Sequence, residues 1–160
     1  MKLIILRGIP GAGKSRFIRE NYPTAVVASA DDGMMEHGVY VFHPSKLTAA
    51  HGACLRKAIE QAQAQAGCGT ENILVIDNTS ITAIEIAPYA AIAQAYDLEC
   101  EVVTLQIPAE IAGPRNSHGV PQQSVERMAA RLDQERLAPW WKKHYYSWNV
   151  EEARYDYIGH

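Results

Sequence analysis

Leu3-Ile4-Ile5-Leu6-Arg7-Gly8-Ile9-Pro10-Gly11-Ala12-Gly13-Lys14-Ser15 decides how this chain is read. Leu3 to Leu6 form a short apolar run that reads as a buried strand, and Gly8 to Ser15 spell G-x-x-x-x-G-K-S, the phosphate-binding loop, in the strand-then-helix context the motif requires. The glycines let the backbone curl so that successive N–H groups converge on one oxyanion, while the helix starting near Lys14 adds its positive dipole end. Lys14 is expected to reach the β- and γ-phosphates and the Ser15 hydroxyl to ligate Mg²⁺. The expected nucleotide-binding set is Gly8, Pro10, Gly11, Ala12, Gly13, Lys14, Ser15 and Arg16.

Outward from the loop, 160 residues with 48% apolar content suffice for one domain with one core, expected to span 1–160. No run approaches the ~18 apolar residues of a membrane span, and Lys2 leads directly into the first strand without a signal-peptide layout, so a cytoplasmic protein is expected, with no membrane contact. Cys54, Cys68 and Cys100 are odd in number and widely spaced, the pattern of reduced thiols rather than of a disulfide framework or zinc site. The net charge of −3 opposes broad adhesion to nucleic acid. Residues 1–70 nevertheless carry eight Lys/Arg against five Asp/Glu (+3), and residues 71–160 seven against thirteen (−6), so contact with a polyanion would be local. No protein partner is indicated.

Thr24 to Ser29 and Ile73 to Ile76 read as further strands, with a fourth over Glu99 to Ile107. Lys14 to Asn21, Lys46 to Gln65 and Ile86 to Tyr96 have helical length and composition. This alternation predicts an α/β fold, a mainly parallel sheet with helices on both faces. Ligands bind such sheets beyond the carboxyl ends of the strands, where Ser29 to Asp32 and Asp77 to Ser80 both fall. The remainder reads as helix-rich: Pro108 to Arg115, a break over Asn116 to Val120, then Pro121 to Leu137, with a lid expected over about 112–131. Residues 139–160 form an aromatic segment; Trp140, Trp141, Tyr145, Tyr146 and Trp148 either seal it onto the domain, the ordinary fate of such residues, or stack bases of a single strand.

Three further positions carry chemistry. Asp77 ends an apolar strand where a carboxylate can orient Mg²⁺, with Asn78 one step along, although a turn-capping Asp would look the same. Asp31 or Asp32 could orient and deprotonate an acceptor hydroxyl; adjacent residues at a strand end point to different sides, so one of the two is expected to face the phosphates. Arg115, just before a break containing Gly119 and Pro121, is placed to close over a transferring phosphoryl group. Arg127 and Arg131, four apart on one helix face, read as a solvated face rather than as further lid cations. His37, His43 and His51 lack metal-ligand spacing.

The series G-I-P-G-A-G-K-S, S-A-D-D, D-N-T-S and P-R-N-S-H-G-V-P resembles the polynucleotide 5′-hydroxyl kinase branch of P-loop kinases, over Met1 to about Trp141. The likeness is to the small kinases related to phage polynucleotide kinase and to the kinase-like domain of the NEDD4-binding protein family. It implies an adenylate-kinase-like three-layer sandwich with a helical lid, and transfer of the ATP γ-phosphate to a 5′-hydroxyl end of DNA or RNA with Mg²⁺. Asp31 matches the family's general base, Lys14 and Ser15 its phosphate and metal contacts, and Arg115 its lid arginine. The chain departs from the pattern twice. Phage-type enzymes carry an arginine shortly after the Asp pair, where this chain has Gly33-Met34-Met35, and a second lid arginine where it has His118-Gly119. A kinase of small molecules (a nucleoside, metabolite or antibiotic) and a nucleotide-dependent switch or ATPase remain open on the residues alone.

Overall fold

The computed structural model describes residues 1–65 and 72–160; Cys68 lies outside the described residues. Its main sheet has the strands β1 (Lys2–Arg7), β2 (Val26–Ala28), β5 (Ile73–Asp77), β6 (Glu99–Gln106), β7 (Lys142–Asn149) and β8 (Arg154–Gly159), in the order β2-β5-β1-β6-β7-β8. The first five run parallel and β8 closes one edge antiparallel to β7. A separate hairpin of β3 (Met35–Glu36) and β4 (Val39–Tyr40) follows a 3₁₀ turn over Ala30–Met34. The helices are α1 (Lys14–Asn21), α2 (Leu47–Ala64), α3 (Ala83–Ala95), α4 (Ala109–Arg115) and α5 (Gln122–Gln134).

Side chains alternate across a strand, and β1 is apolar at every inner position because both of its faces are covered. Leu3 and Ile5 pack with Leu74, Ile76 and Val102 under α2 and α3, where Ala50, Ala58 and Ala62 let α2 approach the sheet closely. Ile4 and Leu6 pack with Val75, Val103 and Leu105 under α1, α4 and α5, which contribute Phe17, Ala112 and Val125. Each of these β1 side chains is fully buried, contributing roughly 1.5–3 kcal/mol by burial. The result is a three-layer α/β sandwich whose strand ends meet at one crevice.

The expected elements occur with modest shifts. α3 starts at Ala83 rather than Ile86, because Thr82 and Glu85 form a capping box. The larger departure is the tail. Read from sequence without strands, residues 142–159 contribute β7 and β8, since pairing with β6 orders a stretch that has no apolar run of its own. Tyr146 and Trp148 pack on the α1 face and Trp141 on the other, while Trp140 is 80% exposed. No helix among the described residues is long and apolar enough to cross a membrane.

Candidate active site

The loop after β1 is held in shape from several sides. Gly11 and Gly13 adopt φ of +80° and +81°, the left-handed region that favours glycine. At Gly11 a Cβ would also lie 1.9 Å from the Ala112 carbonyl oxygen of α4, so no side chain fits. The Gly8 N–H donates to the Thr79 carbonyl at 2.9 Å, binding the loop to the turn after β5. Gly13 caps α1 and accepts from the Phe17 N–H at 2.9 Å. Such a curl of backbone N–H groups at a helix start is an anion cradle.

Lys14 donates from Nζ to the Gly8 carbonyl at 3.3 Å. Burial pulls its ammonium pKa below the ordinary value, opposed by the charges of Asp77 and Asp31. At the end of β5, the Ser15 hydroxyl donates to Asp77 Oδ2 at 3.2 Å. Burial holds the Asp77 carboxyl above the usual carboxylate range, with Lys14 and Ser15 pulling the other way. A hydroxyl and a carboxylate in contact are hard oxygen donors, few in number, and so suit Mg²⁺, which keeps several waters and takes one or two protein oxygens beside substrate phosphates. Pro10 is half-buried in the loop, and Arg16 is exposed and pairs with Glu20 at 2.6 Å.

The acidic pair beyond β2 lies in the 3₁₀ turn rather than on a strand, and its two side chains diverge because successive residues of such a turn are rotated by about a third of a turn. Asp32 turns to α2 and pairs with Lys57 at 3.2 Å, whereas Asp31 turns into the crevice. Its backbone is fixed by Ser29, whose hydroxyl accepts from the Asp31 N–H at 3.1 Å and donates to the Asp77 carbonyl at 2.9 Å. Asn78 accepts from the Ala30 N–H at 2.9 Å and is itself held by the Tyr89 hydroxyl and Cys54, so it shapes this turn rather than facing the loop. The Tyr40 phenol stands close enough to Asp31 to feel its charge, and burial followed by that charge pushes the phenol's pKa up. His118 Nδ1 lies 3.7 Å from Asp31 Oδ2, and its ring meets the Tyr40 ring edge-on at 4.1 Å.

Arg115, at the end of α4, stacks 4.4 Å above the Trp148 ring, and its Nη2 lies 3.9 Å from where a Cβ on Gly13 would be. Arg127 bonds Ser124 and Arg131 pairs with Glu135, both on the solvent side of α5. His43 pairs with Glu36 at 3.2 Å, and among the described residues no group of three or more His, Cys, Asp or Glu is arranged to hold a metal ion. Lys14, Ser15, Asp77, Asp31 and Arg115 thus converge on one crevice. Sequence reading missed Tyr40, whose two-residue strand carries no periodicity, and the tie from the Tyr155 hydroxyl to the Ala12 carbonyl at 2.7 Å. The aromatic richness of the tail was its only signal.

Known proteins resemble this chain in sequence or in fold. Human NEDD4-binding protein 2 is 34% identical over 134 residues, 79% of this chain and 7% of that protein, so the chain spans a small part of its relative. The structure of the Pnkp1/Rnl/Hen1 RNA repair complex matches 99% of the chain and 48% of its own with a TM-score of 0.65 at 18% identity. A Janibacter sugar kinase matches 92% of the chain and 85% of its own with a TM-score of 0.57 at 15% identity. At such identities the two structures speak for the fold. The AAA_33 profile, described as an AAA domain, matches residues 3–137 and leaves β7 and β8 beyond it; the chain belongs to that family and has the α/β fold of P-loop kinases.

Proposed function

We propose that the protein transfers the γ-phosphate of ATP to a hydroxyl acceptor in the presence of Mg²⁺, the first candidate acceptor being the 5′-hydroxyl end of DNA or RNA. One observation carries this reading: Asp31 is fixed through Ser29 and Asn78 on the same crevice as Lys14 and the Ser15–Asp77 pair. ATP phosphates bind the loop N–H groups and Lys14. Ser15 and Asp77 would hold Mg²⁺, which would supply charge neutralisation on the phosphates. Asp31 orients the acceptor hydroxyl and takes its proton as the oxygen bonds the γ-phosphorus and the bond to ADP breaks; Arg115 and His118 offset charge from the lid side.

A second reading, a small-molecule acceptor, is favoured by the turn after Asp31. Met34 is buried, and a Cβ on Gly33 would lie 2.8 Å from the Ala50 Cβ, leaving no room for a phosphate-holding arginine at either position. Lys46 and Lys57 are both engaged, with Glu36 and Asp32. The test is transfer from γ-labelled ATP to 5′-hydroxyl DNA and RNA oligonucleotides, mononucleotides, nucleosides and sugars, with Lys14→Ala and Asp31→Asn as controls. Labelled oligonucleotide, lost in both variants, supports the first reading. Label confined to small acceptors selects the second, and ATP hydrolysis without a labelled acceptor refutes the transferase.

A further inference from the structure

The C-terminal hairpin lies beyond the family-matched residues, yet two of its side chains touch the phosphate loop and Arg115 from outside the crevice. Tyr155 of β8 crosses 143 positions of sequence to donate its hydroxyl to the Ala12 carbonyl at 2.7 Å. Trp148 of β7 lies beneath the Arg115 guanidinium at 4.4 Å. The two rings pack on each other at 5.2 Å, and Tyr155 also meets Phe17 of α1 edge-on at 6.1 Å. They form one aromatic block wedged between the loop, α1 and the end of α4.

The Ala12 carbonyl is not an arbitrary anchor. A trans peptide carries its C=O and N–H on opposite sides, and no peptide bond among the described residues is cis. Holding the Ala12 oxygen outward therefore aims the Gly13 N–H to the other side of the same peptide plane. One end of this plane is the left-handed Gly13, which has no Cβ to oppose a rotation of the plane. Trp148 does the equivalent for Arg115, whose exposed guanidinium would otherwise sample many rotamers. We infer that Tyr155 and Trp148 are positioning residues for phosphoryl transfer, Tyr155 setting the nucleotide loop through Ala12 and Trp148 setting the lid arginine through its ring. This inference rests on the ATP-dependent transfer proposed above.

The test uses the full chain and three readouts: the dissociation constant for a fluorescent ATP analogue, the transfer rate at saturating ATP, and the thermal midpoint without nucleotide. Tyr155→Phe removes only the hydroxyl and is expected to weaken nucleotide binding about fivefold while lowering the midpoint by only a few degrees. Trp148→Ala is expected to slow saturated transfer about tenfold with the dissociation constant within about twofold, and Trp148→Phe, which keeps a ring under Arg115, is expected to restore most of the rate. Wild-type kinetic constants per folded molecule in Tyr155→Phe and Trp148→Ala, with only the midpoint lowered, would make the hairpin a plain support and overturn the inference. If Lys14→Ala loses nucleotide binding while Tyr155→Phe and Trp148→Ala keep wild-type constants, the kinase reading stands and this inference alone falls. A wild-type protein that binds no ATP analogue removes both.

Discussion

On the phosphate-loop side of the crevice, backbone groups are tied to other elements by buried or half-buried bonds: Gly8 to Thr79, Gly13 to Phe17, Ala12 to Tyr155. On the opposite side the 3₁₀ turn is anchored by the buried Met34, but residues 35–46 beyond it are held mainly by exposed pairs and ring contacts, Glu36 with Lys46 and His43, Tyr40 with His118. Met35, Val39 and Phe42 stand about half exposed or more there, at 48%, 62% and 52%. The first construction is preorganised and admits few alternatives; the second can repack at little cost. On the function proposed above, one donor binds the fixed side, and the expectation is that acceptor selectivity is set on the side that can change.

The strongest way to break that contrast is to alter the loop side and find the effect dependent on the acceptor. Lys14→Ala is expected to lower kcat/KM by about 10³-fold for every acceptor alike, measured across the labelled-ATP panel; a loss confined to one acceptor would refute it. Asp31→Asn stands at the junction of the two sides. A drop in kcat of about 10²-fold or more with ATP binding intact is expected, and equal losses in ATP affinity would remove its assignment as base. His118→Ala probes the adaptable side: the acceptor KM is expected to rise about fivefold to tenfold with the ATP KM unchanged, in steady-state titrations of each substrate.

Glu101 provides a reference far from either side, at the start of β6. Burial raises its pKa, but hydrogen bonds from Lys142 and Lys2 outweigh this and leave it below the ordinary carboxylate value. A depressed folded-state pKa stabilises above the unfolded value of about 4.3 and ceases to do so as pH falls through the folded value. Glu101→Gln is therefore expected to cost about 1 kcal/mol at pH 7 and to converge on wild type in denaturant titrations as pH falls from the unfolded value through the lower folded one. The convergence is the check; a constant difference would show that packing rather than charge is at stake. Last, Arg127→Ala is expected to change stability by less than about 0.5 kcal/mol and transfer not at all. A kinetic defect there would bring α5 into the crevice.

What could be read from sequence follows the same division. The loop was legible because one backbone curl needs its glycines, lysine and serine at fixed local spacing. Asp31 and Asp77 were legible because strand ends in a parallel sheet share one crevice. The β3–β4 hairpin was missed although His37 and Gly38 take φ of +51° and +82°, the two-residue turn that pairs short strands. Its glycine was visible; its strands were too short to show a period. Lys142 to Asn149 alternates no apolar face, and its strand exists because β6 and β8 flank it. Tyr155 and Ala12 lie at the two ends of the chain, and no local pattern joins them.

The close approach of Gly11 to the Ala112 carbonyl has a mechanical consequence. α4 is seated on the loop like a fixed post, and Gln122 lashes the first turn of α5 to it by donating to the Ala109 carbonyl at 3.1 Å. The free span between post and beam is Asn116 to Val120, where Gly119 takes φ of +68° and Asn116 bridges the His118 N–H and the Val120 carbonyl. A span this short, braced at its middle by Asn116 and seated at both ends on packed helices, keeps His118 beside Asp31 and Tyr40.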